Sequence, residues 1–225
     1  GIEAKLIEIE TDVHVGLHSF NIVGLADKAL SEAKERVSSA LKNSGVKPPT
    51  RENRKIVVNL APADLKKSGS HYDLGIAVGY LLATKQIKDF NVKDKLFAGE
   101  LALDGSLRSV GGVLNISRMA KQDGFKEIFV PKENAVEAAI VGGVKVFPVN
   151  NLPELIGHLE NKAIIDCQPK TEVGPSLSSA RMAPARPRCS STSSAATAAI
   201  RKSSTSAAAP SAPWTWRSCY AALAA

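Results

Sequence analysis

Several things are scarce in this 225-residue chain, and each scarcity narrows its class. There are only three cysteines, Cys167, Cys189 and Cys219, all beyond residue 165 and none at CxxC spacing. A disulfide framework and a zinc ribbon are both excluded by that pattern. No run of about 18 apolar residues occurs, so no helical membrane span is expected. The start, GIEAKLIEIE, has neither the basic region nor the apolar stretch of a secretory signal. A cytoplasmic, bacterial-type setting is the expectation, and Gly1 in place of Met points to a start inside a longer reading frame. Aromatics make up 5% of the chain, and both tryptophans lie near the C-terminal end. Glycine-rich phosphate loops are also missing, because neither GxxxxGK[ST] nor GxGxxG is present. ATP hydrolysis by this chain alone is therefore not expected.

What is present has two compositions. Up to about Ile165 the chain is rich in Val, Ile, Leu and Phe with charges of both signs; from Asp166 it is mostly Ala, Ser, Pro and Arg. The second part carries Lys170, Arg181, Arg186, Arg188, Arg201, Lys202 and Arg217 against only Asp166 and Glu172. Most of the formal net charge of +7 therefore belongs to the tail, which makes the basic total weak support for a nucleic-acid partner. Periodicity disappears there too. Residues 162–225 are expected to be a low-complexity tail, disordered because so little apolar area offsets the entropy of ordering. A shifted reading frame in a GC-rich gene would give the same composition.

Residues 1–161 read as one α/β (α+β) domain, with strands and helices alternating in the order ββ-α-β-α-ββ-α-β-α-β-α. Strands are expected at Ile2–Glu10, Phe20–Val23 and Lys55–Leu60. The spacing of Ala29, Leu30, Ala33, Val37, Ala40 and Leu41 predicts a helix over Asp27–Ser44, with Lys28, Glu32, Lys34, Glu35 and Arg36 on its solvent face. Tyr72–Gln86 is almost wholly apolar and predicts a buried helix, in which Gly75 and Gly79 admit a close neighbour. Asp104-Gly105, between apolar runs at Leu96–Leu103 and Ser106–Val110, is a hairpin signal. Val113–Gln122, EIFVP, Asn134–Val141, VKVFPV and Pro153–Leu159 complete the alternation.

Few residues carry chemistry. His14 and His18 flank Gly16 in a segment that does not read as helix, so they are expected in a loop or at the surface and no metal site is expected. Ser70, His71 and Asp73 are triad residue types, but triad partners come from separate elements. Arg51, Arg54 and Lys55, then Lys66 and Lys67, are the candidates for phosphate contact, without aromatics between them for base stacking.

Four segments together, NIVGLADKALSEAKERVSSALKNSG, KIVVNLAPADLKKSGSHYDLGIAVGYL, FAGELALDGSLRSVGGVL and IFVPKENAVEAAIVGGVKVFPV, resemble the N-terminal domain of magnesium-chelatase-like AAA+ ATPases of the YifB/ComM type. The resemblance covers about Gly1 to Leu159 and implies a Lon-protease-like domain of the ribosomal protein S5 domain 2-like fold. The first strand is truncated relative to that family, and the ATPase module that should follow is absent. In active Lon-type domains a Ser precedes the Gly-Ile-Ala of the buried helix, and a Lys lies four residues past the Gly-Gly after the hairpin. By that comparison Asp73 stands at the Ser position and Ile116 at the Lys position, and neither can supply the dyad.

The resemblance therefore implies a non-catalytic accessory domain, with no cofactor in this chain and with ATP and magnesium belonging to the intact family member. It also implies a homo-hexameric ring acting in DNA processing, with branch migration during transformation. Arg51, Arg54, Lys66 and Lys67 are the residues expected to meet DNA. Two alternatives stand beside this reading. One is a divergent Lon-like serine peptidase using Ser68 or Ser70 with Lys66 or Lys67, and the other is an oligomerisation module without a ligand.

Overall fold

Leu96 and Phe97 are neighbours in the chain and face opposite cores, and the same split recurs at Ile128 and Phe129 and at Val146 and Phe147. Successive side chains of a strand point to opposite faces, so such a strand must be covered on both sides, which is the condition of a parallel sheet flanked by helices. The computed structural model of the chain has that arrangement. It describes residues 4–24, 28–51, 53–62, 65, 69–172 and 215–224. These belong to one unit, Gly1–Val173 with Trp214–Ala225, while the second unit, Gly174–Pro213, lies outside the described residues.

In chain order the elements are β1 (Ala4–Val15), β2 (Ser19–Val23), α1 (Lys28–Asn43), β3 (Arg54–Ala61), α2 (Asp73–Ala83), β4 (Lys95–Phe97), β5 (Glu100–Leu101), β6 (Leu107–Arg108), α3 (Val113–Gln122), β7 (Glu127–Pro131), α4 (Ala135–Ala138), β8 (Lys145–Val149), α5 (Leu152–Leu159) and β9 (Thr215–Ala224). Seven strands form one sheet in the order β2-β3-β1-β9-β4-β7-β8, and β5 and β6 form a separate hairpin. β1 is antiparallel to both β3 and β9; the other pairings of the large sheet are parallel. The mixed α/β class is thus as expected.

One core packs α2, buried along its whole length, with Ile7, Ile9, Val37, Leu41, Ile56 and Leu60. Phe97, Phe129 and Phe147 extend it as a ladder, with ring centroids 5.1 Å apart at each step. The second core, on the opposite face, holds Leu96, Val113, Ile116, Met119, Ile128 and Val130. At 25 cal/mol per Å², fully burying a side chain of this size contributes about 2 kcal/mol, so each core is a substantial part of the stability.

Three expectations need correction. The Leu96–Leu103 run is two strands, because Gly99 breaks it; a Cβ at Gly99 would meet Leu107 at 3.2 Å and Pro131 at 3.3 Å. α2 is shorter than expected, Asp73–Ala83. The third concerns the tail. Residues 162–172 pack on the domain, where Ile165 is buried and Gln168 bridges to Val146. Residues 215–224 form β9 between β1 and β4, in the register Ala4↔Ala224 to Val13↔Thr215. The two ends of the expected tail, 162–172 and 215–224, thus belong to the domain, and the stretch between them, 173–214, lies outside the described residues.

The close approach expected at Gly75 and Gly79 is made by β1 and β9. A Cβ at Gly75 would sit 2.6 Å from Ile9 Cδ1 and 3.3 Å from Ala221 Cβ; one at Gly79 would sit 2.8 Å from Thr11 Oγ1 and 3.9 Å from Cys219 Sγ. The two buried side chains of β9 on this side, Cys219 and Ala221, are correspondingly small.

Candidate functional site

The first residue of α2 is Asp73, and its carboxylate is fully buried. A helix start favours an acid through the peptide dipole. Asp73 does not, however, cap its own helix, and α2 begins without a side-chain cap. Its Oδ2 accepts from Arg36 Nε at 2.8 Å and from the Leu101 N–H at 3.3 Å, and its Oδ1 accepts from Arg36 Nη2 at 3.2 Å. Such a two-point guanidinium clamp fixes orientation as well as charge. Arg36 was expected on the solvent face of α1; instead its side chain, 21% exposed, turns inward to the carboxylate.

Burial pushes the Asp73 carboxyl up to about 6, against the opposing pull of the Arg36 bond and the Leu101 N–H; the charge of Glu100 adds to the rise. The bond to Asp73 in turn raises the Arg36 guanidinium, in spite of its own desolvation. Both shifts express one arrangement, a carboxylate held in the protein interior by a single cation.

Around this pair the chain is pinned by backbone bonds. Leu74 N–H donates to Gly99 O at 3.2 Å and Gly99 N–H donates to His71 O at 3.1 Å, so the segment entering α2 lies along the start of β5. Ser70 Oγ donates to Glu100 Oε2, and Glu100 Oε1 lies 3.7 Å from Arg108 Nη1. His71 Nε2 is 3.1 Å from Gly111 O, next to Gly112, whose φ of 72° starts α3. Asn134 holds this turn from the far side, accepting from the Val110 N–H at 2.9 Å and donating to Val110 O at 3.0 Å.

Ser70, His71 and Asp73 do not form a triad, because none of the three side chains is bonded to another: Ser70 bonds to Glu100, His71 lies against the Gly111 carbonyl, and Asp73 accepts from Arg36 and the Leu101 N–H. Ile116 is fully buried in the second core with Val113, Leu96 and Ile128. Asp73 is committed to Arg36, and Ile116 has no ionisable atom, so the two positions hold no nucleophile and base. Lys66, Lys67 and Ser68 lie outside the described residues, as does the Arg51 side chain.

Arg54 is half-buried at the start of β3 and Lys55 beside it is exposed. His14 lies on β1, where its Nε2 is 2.8 Å from Asp12 Oδ2, and His18 is exposed in the turn before β2. Arg36 and Glu100 are the site residues that sequence reasoning missed. A lone arginine one helical turn from the buried Ala33 and Ala40 was the available signal.

Comparison with known proteins settles the family. The family model described as subunit ChlI of Mg-chelatase matches residues 9–134. The chain belongs to this ChlI family. Within it, the chain is a YifB/ComM-type N-terminal domain. Competence protein ComM of Haemophilus influenzae is 39% identical over 162 residues, which is 72% of this chain and 31% of that protein. Uncharacterized protein YifB of Salmonella typhimurium is 39% identical over 166 residues, 74% of this chain and 32% of that protein. A Lon protease of Rhizobium meliloti is 25% identical over 166 residues, 70% of this chain and 20% of the protease. The ChlI-family chain thus spans about a third of the length of its ComM and YifB relatives.

Proposed function

We propose that this domain is a non-catalytic accessory module of a YifB/ComM-type AAA+ ATPase, built on a Lon-protease-like fold of the ribosomal protein S5 domain 2-like kind. The observation that carries the reading is the Arg36–Asp73 clamp. Where a Lon-type domain needs a free hydroxyl activated by a lysine, this chain has a buried carboxylate already bonded at both oxygens. The likeness to a Lon protease fits a shared scaffold from which the dyad has been lost.

The nucleotide chemistry implied for the intact family member does not fit the residues of this chain. Phosphates need a glycine-rich loop of backbone N–H groups, and the sequence has none. ATP and magnesium would be held by a separate ATPase module, and this domain would help assemble a hexameric ring or guide DNA through it. The name of the ComM relative suggests competence as the setting; the activity we propose there is DNA processing during transformation, in the cytoplasm. Arg54 and Lys55, with Arg51, Lys66 and Lys67, supply the phosphate contacts. Among the described residues no helix is long and apolar enough to cross a membrane.

The test is a peptidase assay of the whole chain on casein and on a fluorogenic peptide, with a fluorophosphonate probe for activated serine. No turnover and no labelling are expected. Turnover abolished by Ser70→Ala would overturn the reading in favour of the divergent peptidase.

A further inference from the structure

The strand order puts β3 between β1 and β2, although β1 and β2 are consecutive in the chain. The connection at 16–18 must therefore arch over the start of β3, and the Gly16 N–H donates to Asn53 O at 3.2 Å where it crosses. The arch is anchored at both feet, by Val13 and by Phe20, which are buried. At its crest the order reverses: Val15 is 95% exposed and Leu17 is 94% exposed. Two branched apolar side chains standing together in water on a braced turn offer area whose burial against a partner is favourable.

The flanks of the crest are polar and mostly basic. Register places Arg54 opposite Val15, and Lys55 opposite His14 on one side and Ser19 on the other, so both cations lie under the arch. His18 is exposed beside the crest, and the nearby carboxylate of Asp12 is engaged by His14 Nε2 at 2.8 Å. An apolar crest between cations matches the chemistry of an opened nucleic-acid step, with bases that take an apolar wedge and phosphates on either side that take charge.

We infer that the 15–17 crest is a wedge for branched or forked DNA: Val15 and Leu17 pack on the unstacked base pair at the fork while Arg54 and Lys55 hold the flanking phosphates. The inference rests on the DNA-processing reading above and names the element that would touch the DNA.

The experiment uses the full 225-residue chain and fluorescein-labelled duplexes, one blunt and one forked, with 2-aminopurine at the fork, followed by anisotropy across a salt series. The wild type is expected to prefer the forked duplex and to brighten 2-aminopurine. The Val15→Ser/Leu17→Ser variant should lose roughly fivefold or more in fork affinity and all of the brightening, with its salt slope retained. Lys55→Ala should instead lower the salt slope by about 1 on both duplexes. Leu17→Trp provides a second readout, since its emission should be quenched by forked and not by blunt DNA. Equal fork affinity and brightening in the double serine variant would overturn the wedge, as would a wild type that binds no DNA at low salt. A double variant that loses self-association in sedimentation and keeps its fork affinity would overturn it too, assigning the crest to a protein contact. The peptidase assay reports separately on the accessory-domain reading, so the two can fail independently.

Discussion

Arg36 reaches across from α1 to close two hydrogen bonds on Asp73, the first residue of α2, with Nε to Oδ2 at 2.8 Å and Nη2 to Oδ1 at 3.2 Å. The pair does mechanical work, because the same carboxylate also accepts from Leu101 and so joins both helices to the β5–β6 hairpin. Under the accessory-domain proposal, the same bonds occupy both carboxylate oxygens where a Lon-type domain needs its nucleophile.

Removing one partner is expected to cost more than removing both. Arg36→Met leaves the buried carboxylate without its cation and should destabilise the domain by about 3 kcal/mol. Arg36→Met with Asp73→Leu should recover most of that loss, as apolar replacements of buried pairs commonly do. Urea unfolding of the two single variants, the double variant and the wild type measures the coupling. A double variant no more stable than Arg36→Met alone would show that the pair is not isolated in the way described.

The pH dependence follows from the direction of the Asp73 shift. Its folded-state value, pushed up to about 6, lies above the ordinary 3.8, so the folded protein binds this proton more tightly than the unfolded chain does. The contribution is fully present below about 4 and is lost as pH rises through about 6. The stability difference between wild type and Asp73→Asn should therefore fall over that window and be flat above it. Unfolding curves at half-unit pH steps measure it, and a difference that rises with pH would reverse the assigned cause.

Gly79 and Thr11 make a third test. Alanine is a better helix former than glycine by about 1 kcal/mol, so Gly79→Ala would stabilise an open helix. Here the new methyl meets Thr11 Oγ1 at 2.8 Å, on a buried β-branched side chain with little room to turn. A net loss of about 1 kcal/mol is expected by thermal unfolding. Thr11→Ala in the same chain should reverse it, because Thr11 Oγ1 has no hydrogen-bond partner among the described residues.

β9 can be tested through its cysteine. Cys219 is buried between β1 and α2, and burial pushes its thiol up to about 12. A thiol so placed is inert to alkylation, which requires the thiolate and access. Mass-spectrometric mapping after brief iodoacetamide treatment should find Cys219 unmodified in the folded chain and modified in urea. Rapid native-state labelling would mean that β9 does not occupy the slot between β1 and β4.

Much of the fold could be read from residue order. The alternation at Leu96–Phe97 and Ile128–Phe129, the unbroken apolar run of α2 and the Asp104-Gly105 turn are direct expressions of period and turn chemistry. β9 could not be read in this way. A strand packed under a helix face carrying Gly75 and Gly79 needs small inward residues, so Cys219 and Ala221 replace the branched residues that mark a strand. The stretch before it is mostly alanine, serine and proline, and no period emerges. The site was half legible. Asp73 and Ile116 stood out by family comparison, whereas Arg36 sits among charged neighbours on α1, and only the fold shows that it faces inward.

The most direct measurement is a carbon-13 titration of the Asp73 carboxyl, with the Arg36 Nε–H followed in the same samples. A closed, non-nucleophilic site predicts a midpoint near 6 and a slowly exchanging Arg36 Nε–H that quickens as Asp73 takes up its proton. An Asp73 midpoint near 4, with an Arg36 Nε–H in fast exchange at every pH, would contradict it. The position corresponding to the Lon-type nucleophile would then be open to solvent and to substrate.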